Sequence, residues 1–341
     1  MPIAAPSLFI LAAARTPLGA FGGVLKRLPM PVLAAEAMKG VLTNAKGADP
    51  DQIFLGCALG AGNGPEPAQR AASLAGLKAP ALTVNAGSAS GLSAVILGLR
   101  LAAEAPGLVL AGGAEAPSQA PYLAPEARWG RRVGAMELRD ALLVDGPELQ
   151  MPSQGTWAAQ SQQRAAHSSE LRQREITPLL LETRRGPQRV FEDQAPGASA
   201  VAFPAGRAPL ADGAAMVLVG PGDRIQTRPL ARVLGWREGD GNLEKSMGAL
   251  FLELKLEAQA IIRWEVHEGS ESQMEAFFHA FPQIDRNAVN PHGGALALGD
   301  PWGASGARLV GSLVQDLRGI GVALVHSPTR TTALVLRGNE S

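Results

Sequence analysis

The sequence predicts an α/β protein of two similar halves with a loop domain inserted in the first. Three observations carry this. Short apolar runs of strand character alternate with helical runs. The order strand, Ala-Ser-Gly, helix, strand occurs twice, with the triplets starting at Ala89 and Ala304. The alternation breaks over a polar middle stretch. At 341 residues the chain suits one large domain or two fused ones. Its 46% apolar content and mean hydropathy of +0.06 supply a substantial core and exclude wholesale disorder. The 31 Lys and Arg balance 31 Asp and Glu, so no net field recruits nucleic acid or an anionic membrane. Cys57, the single cysteine, excludes a disulfide framework and a cysteine-built zinc site, and points to the reducing cytoplasm.

Residues 8–13 read as the first strand, ended by Arg15-Thr16-Pro17 and lacking the basic residues that precede a signal-peptide core. A helix at 32–42, a strand at 52–58, a helix at 66–75, a strand at 81–85, a helix at 91–103 and a strand at 108–112 follow. Residues 79–99 carry no charge and match a bilayer in length. Pro80, Asn85, Ser88, Ser90 and Ser93, with Gly87 and Gly91, interrupt them, so a buried strand entering a buried helix is expected and no membrane span. From about 118 to 209 the chain is polar and rich in Arg and Gln, with one clear helix at 157–171, which reads as an inserted lid. After a strand at 214–219 the second half shows helices at 243–256, 270–280 and 305–317. Its strands fall at 261–267, 288–290, 322–326 and 332–336. Alternation of this kind predicts parallel strands joined by crossover helices. The expected domains are 1–117 completed by 209–222, the loop domain 118–208, and 223–341.

The turn Asn85-Ala86-Gly87-Ser88-Ala89-Ser90-Gly91 joins a strand to a helix apolar on every face. A side chain there meets the positive end of the helix dipole and free backbone N–H groups, which suits a nucleophile or a developing oxyanion. The same small residues also serve plain close packing. Cys57 reads as a small buried residue, His167 as solvated, and His279 as surface or core. His292 is read either as lining a site or as shaping a turn. No metal-ligand spacing occurs among the histidines, Asp300 and Glu268. Gly220-Pro221-Gly222 lacks a lysine and is a loop, not a phosphate cradle.

Longer motifs add a resemblance. They begin at Arg15-Thr16-Pro17-Leu18-Gly19-Ala20-Phe21-Gly22-Gly23, Pro65-Glu66-Pro67-Ala68-Gln69-Arg70-Ala71-Ala72 and the turn at 85–91. Ala111-Gly112-Gly113-Ala114-Glu115-Ala116-Pro117-Ser118, Ser161-Gln162-Gln163-Arg164-Ala165, Glu175-Ile176-Thr177-Pro178 and Asp212-Gly213-Ala214-Ala215 continue the series. It ends with Gly293-Gly294-Ala295-Leu296-Ala297-Leu298-Gly299 and Gly303-Ala304-Ser305-Gly306-Ala307-Arg308. In this order, over nearly the whole chain, they resemble the thiolase superfamily of acyl-CoA condensing enzymes. The resemblance implies a five-layered α-β-α-β-α fold of two duplicated halves and a loop domain, here shortened between Pro121 and Ser161. It implies a homodimer, or a heterodimer with another thiolase-like chain. Coenzyme A would enter only as part of the acyl-CoA substrate, with no permanently bound cofactor. Met151 matches a position near the pantetheine arm. Arg128, Arg131 and Arg132 form a basic cluster suited to the phosphates of coenzyme A, or simply an exposed charged face.

The catalytic positions depart from the family. Ser88 stands where the nucleophilic cysteine is expected, Asp300 where a histidine precedes Pro301, His326 where the second cysteine moves a proton, and His267 where an asparagine opens the Asn-Glu-Ala-Phe motif. A cysteine at a helix N-terminus reaches its thiolate near neutral pH, whereas a serine needs a general base within hydrogen-bond reach. An anionic Asp300 opposes an enolate. Thiolase condensation and cleavage are therefore expected to be impaired or altered. Three readings follow: an acyltransferase using Ser88, a thioester hydrolase with a triad of Ser88, His326 or His267, and Asp300, and a catalytically inactive subunit with a degenerate active site that partners an active paralogue.

Overall fold

The computed structural model describes residues 7–146, 156–184, 186–194 and 206–339. The first half runs through β1 (Leu8–Arg15), β2 (Gly19–Ala20), α1 (Met30–Asn44), β3 (Gln52–Gly56), α2 (Pro67–Leu74), β4 (Ala81–Val84), α3 (Ser90–Glu104) and β5 (Val109–Glu115). An excursion follows: β6 (Tyr122–Leu123), β7 (Arg139–Asp140), α4 (Ala141–Val144), α5 (Trp157–His167), α6 (Ser169–Gln173), β8 (Leu179–Thr183) and β9 (Gly186–Val190). The chain returns in β10 (Ala211–Pro221) and then builds β11 (Ala231–Gly239), α7 (Leu243–Leu254), β12 (Ile261–Val266), α8 (Glu271–Ala280), α9 (Ala295–Leu298), α10 (Ser305–Val314), β13 (Ile320–Ser327) and β14 (Arg330–Gly338). Among the described residues no helix is long and apolar enough to cross a membrane, and 79–99 divide between β4 and α3.

The duplication is visible in the strand order. The first half pairs as β4-β3-β5-β10-β1. The second starts from Val289, bridged in parallel to Trp264 of β12, and continues β12-β13-β14-β11. The two sheets meet where Phe9 and Ile10 of β1 pair with Arg232 and Ala231 of β11. Only part of each sheet is parallel: β3 with β4 and β5, and β12 with β13. Elsewhere the expected parallel pairing gives way to antiparallel ladders. The reason is plain at β13 and β14, where Ser327 pairs with Arg330 across a tight turn that leaves no room for a crossover.

Five layers follow from where each helix buries its apolar side. On the outer face of the first sheet, α1 and α2 pack through Met30, Leu33, Met38, Ala68 and Ala72. Between the sheets, α3 contributes Leu92, Val95, Ile96 and Leu99, and α10 contributes Ala307, Leu309, Val310 and Leu313. Outside the second sheet, α7 and α8 place Met247, Leu250, Met274 and Phe277 around Trp264. The paired Ala-Ser-Gly triplets mark the crossing of the two central helices. A Cβ on Gly306 would come within 2.6 Å of Leu92 N, and one on Gly91 within 2.6 Å of Gly303 O.

Two further expectations change in detail. Residues 288–290 form only the Val289 bridge, because Arg286–Ala288 is a 3-10 turn and Asn290 adopts φ 44. The Asn290 side chain takes over the strand's work, accepting from Val266 N at 2.7 Å and donating to Val266 O at 2.8 Å. The helix expected over 157–171 divides at Ser168 into α5 and α6. The sequence pattern did not reveal β11, whose Arg232, Trp236 and Arg237 hide a strand that is mostly half-buried. The excursion is tied to the first half by Arg15, buried at the end of β1, which donates to Glu175 at 2.7 Å and to Asp193 at 2.6 Å.

Gly306→Ala forces a methyl group into the α3–α10 crossing. It is expected to lower unfolding stability by about 1–3 kcal/mol, read as a fall in the urea midpoint with an unchanged slope.

Candidate active site

The ends of parallel strands and the starts of the central helices converge on one place, as they do in open α/β sheets. β4 runs into Asn85–Ala89 and then α3, so Ser88 lies just before the N-terminus of that helix. Gly87 takes φ +58, and Ser90 Oγ accepts from Ala86 N at 2.8 Å and donates to Gly87 O at 2.6 Å, which sets the turn. His267 follows directly on β12, with its N–H donating to Leu324 O at 2.8 Å, and His326 lies near the end of the adjacent β13. Asp300 lies on the segment entering α10. Ser88, His267, Asp300 and His326 all line one cavity of about 230 Å³. Arg207, Gln273, Trp302 and Arg330 share its wall.

Within the cavity the partners are unequal. His267 Nε2 and Asp300 Oδ2 stand 3.0 Å apart, and both residues are buried. Ser305 Oγ donates to Asp300 Oδ1 at 2.5 Å. Burial works against charge on Asp300, but His267, Ser305 and Arg308 outweigh it and hold the carboxyl below the usual carboxylate range. His326 Nδ1 faces Thr331 Oγ1 at 3.2 Å, and burial lowers this imidazole's proton affinity, so it is neutral at pH 7. Gln273 Nε2 donates to the backbone carbonyl of His326. Among the described residues Ser88 Oγ has no hydrogen bond to either imidazole, and His267 Nδ1 is buried without a partner. Of the two histidines weighed as partners of Asp300, the structure couples His267.

Residues whose positioning role the sequence does not reveal hold these groups in place. Glu268, fully buried beside His267, accepts from Trp157 Nε1 at 2.7 Å, Ser161 Oγ at 2.8 Å, Asn290 Nδ2 at 2.7 Å and Leu296 N at 3.1 Å. It thereby ties α5 of the excursion to the loop that carries His267. Glu115 accepts from Ala58 N at 2.8 Å, Leu59 N at 3.1 Å and Gly303 N at 3.0 Å, joining the two halves next to Trp302. Burial pushes its carboxyl up to about 7 against those three N–H groups. Trp302 itself holds φ 23, a strained value for a bulky residue, at the cavity wall. Glu268 was visible only as a neighbour of His267 and as a carboxylate without metal-ligand spacing, and Ser305 only as part of the repeated triplet. Arg207 carried no pattern at all.

The remaining expected residues lie elsewhere. Met151 falls outside the described residues. Arg128, Arg131 and Arg132 are exposed on the excursion, away from the cavity wall, and Arg131 pairs with Glu126 at 3.3 Å. Cys57 is buried and hydrogen-bonded to Leu59 O and Glu115; burial pushes its thiol far up, so it is no thiolate source. His292 lies between Arg263 and Asp316 rather than in the cavity, while His167 and His279 are exposed. Among the described residues no group of three or more His, Cys, Asp or Glu side chains could hold a metal ion.

The chain matches two family models, "Thiolase, N-terminal domain" over residues 8–223 and "Thiolase, C-terminal domain" over 247–333. It is 31% identical to the acetyl-CoA acetyltransferase of Schizosaccharomyces pombe, covering 93% of this chain and 95% of that one. It is 32% identical to that of Cupriavidus necator, covering 91% and 92%. Human mitochondrial 3-ketoacyl-CoA thiolase shares the fold at a TM-score of 0.87 and 24% identity, over 99% of this chain and 100% of that one. An acetyl-CoA acetyltransferase from Syntrophomonas wolfei does so at 0.88 and 21%, over 98% and 100%.

Asp300→Asn removes the charge that His267 and Ser305 satisfy, at an expected cost of about 1–3 kcal/mol. Because the folded-state pKa of Asp300 is depressed, wild-type protein holds this advantage above the ordinary carboxylate pKa and loses it as pH falls through the folded value. Urea unfolding of both proteins from pH 7 to pH 3 should show the two stabilities converging at the acid end.

Proposed function

This chain belongs to the thiolase family, and from that membership and the residues of its cavity we infer that it acts on acyl-CoA thioesters through Ser88. The observation that carries the reading is the convergence of Ser88, His267, Asp300 and His326 on one cavity. In this reading Ser88 Oγ attacks the thioester carbonyl, forming a C–O bond. His326, neutral at pH 7, takes the hydroxyl proton. The C–S bond then breaks, and the same proton passes to the departing sulfur of coenzyme A. The product is an acyl-serine, which a second acceptor or water resolves.

His267 and Asp300 have a supporting part. Asp300 accepts from His267 Nε2 and fixes the ring against the cavity. That same carboxylate disfavours an enolate formed beside it, because like charges at close range in a low-dielectric pocket repel. The carbon–carbon step of thiolases is thus the impaired one, and acyl transfer or thioester hydrolysis the retained one. Exposed Arg128, Arg131 and Arg132, which lie away from the cavity wall, are assigned to the phosphates of coenzyme A on charge alone.

A second reading, a non-catalytic subunit paired with an intact thiolase-like chain, draws support from the Ser88 hydroxyl having no hydrogen bond to either imidazole. Association with a second copy or a related chain belongs to both readings. It is supported by β4, an edge strand of the sheet whose Leu82 is 54% exposed.

Intact-mass spectrometry after incubation with an acyl-CoA panel separates the two. The expected result is a single acyl adduct on wild-type protein and none on Ser88→Ala, with free acid or transferred product revealing the acceptor. No adduct at any pH, together with co-purification of a thiolase-like chain, establishes the subunit reading instead. His326→Asn should slow acylation by roughly 10²–10⁴-fold. Since burial lowers the pKa of His326, the wild-type acylation rate should hold through about pH 6.5 and fall only at more acid pH.

A further inference from the structure

We propose that the acyl group accepted by this cavity ends in a carboxylate, and that Arg207 is the residue that selects it. The proposal rests on the acyl-thioester reading above and adds the substrate class.

Arg207 is placed at the cavity by backbone bonding on both sides. Ala208 N donates to Gly269 O at 3.1 Å and Glu271 N to Gly206 O at 2.7 Å, while Asp300 N donates to Pro209 O at 2.7 Å. These bonds stretch the segment between the His267–Ser270 loop and Asp300, and Arg207 bridges to Ser270 within it. Its half-buried guanidinium thus reaches the same wall as Ser88 and both imidazoles.

The wall is mixed: Ala86, Ala89, Trp302 and Val325 offer apolar contact, and polar side chains stand among them. Ser270, Gln273, Ser327 and Thr329 line it beside Arg207 and Arg330. A chain of methylenes packed there would desolvate polar groups without returning a hydrogen bond. The volume of about 230 Å³ accommodates a short acyl group.

The charges favour an anion. Among the described residues Asp300 is the sole carboxylate on the wall, and its two oxygens already accept from His267 and Ser305. Arg330 leans toward Glu238, which it shares with Arg100. Among the described residues the wall carries the two guanidinium groups of Arg207 and Arg330 against the one carboxylate of Asp300, and His326, its proton affinity lowered by burial, adds no charge at pH 7. Arginine suits a second carboxylate because its planar fork gives paired, charge-assisted hydrogen bonds. Burial works against charge on the Arg207 guanidinium, and Asp300 across the cavity favours it.

Succinyl-CoA and butyryl-CoA have acyl groups of equal length and differ at the terminal group, so they make the test. Calorimetric titration of each into wild-type protein should show at least a tenfold tighter dissociation constant for succinyl-CoA. Arg207→Met should bring that ratio close to one, and Arg207→Lys, which keeps the charge and loses the fork, should give an intermediate ratio. Equal affinity in wild type, or a ratio untouched in both variants, overturns the assignment of Arg207. Binding of butyryl-CoA alone overturns this proposal and leaves the acyl-thioester reading standing. Binding of neither overturns both.

Discussion

The close crossing of α3 and α10 is the constraint on which the rest depends. Each helix belongs to one half of the duplication, and each presents a glycine where the backbones come nearest, Gly91 against Gly303 O and Gly306 against Leu92. Only with no side chain at those points can the helices fill a single layer between two sheets. Their approach also sets the N-terminal segments of the two helices side by side. Ser88 precedes one and Asp300 the other, and the ends of β12 and β13 supply the two imidazoles. The cavity is thus a by-product of packing two copies of one topology face to face.

Around that crossing the polar groups are held by buried carboxylates rather than by the apolar core. Glu115 links Ala58 and Leu59 of the first half to Gly303 of the second. Glu268 links the excursion to the loop carrying His267. Each accepts from several N–H or O–H donors, which is what makes burial of a carboxyl group tolerable. Both sit next to residues of the cavity wall, so the positions of Trp302 and His267 are set by contacts made on the far side of the backbone.

The chemistry of the cavity follows from which atoms can lose a proton there. A thiol near a helix N-terminus ionises easily, but the one cysteine of the chain is buried behind Glu115 and its thiol is pushed far up. What faces the cavity instead is a hydroxyl, a neutral imidazole, and an imidazole bound to a carboxylate. That set moves protons between heteroatoms more readily than it stabilises a carbanion.

Periodicity and punctuation alone determined most of the secondary structure, the break in the middle, and the repeated triplet that turned out to be the helix crossing. The family motifs singled out four side chains, Ser88, His267, Asp300 and His326, which the fold brings to one cavity, because their positions are fixed relative to glycines and prolines that the chain retains. Other features escaped. The strand β11 is half-buried and mixed in polarity, so no alternation marked it. Asn290 replaced a strand's backbone ladder with a side-chain amide, which no propensity encodes. Tertiary structure alone decided that Asp300 pairs with His267 rather than His326, and that Arg207 reaches the cavity. Those facts depend on where separate loops meet after the two halves pack, and residues so far apart in the chain share no local pattern from which their contact could be read.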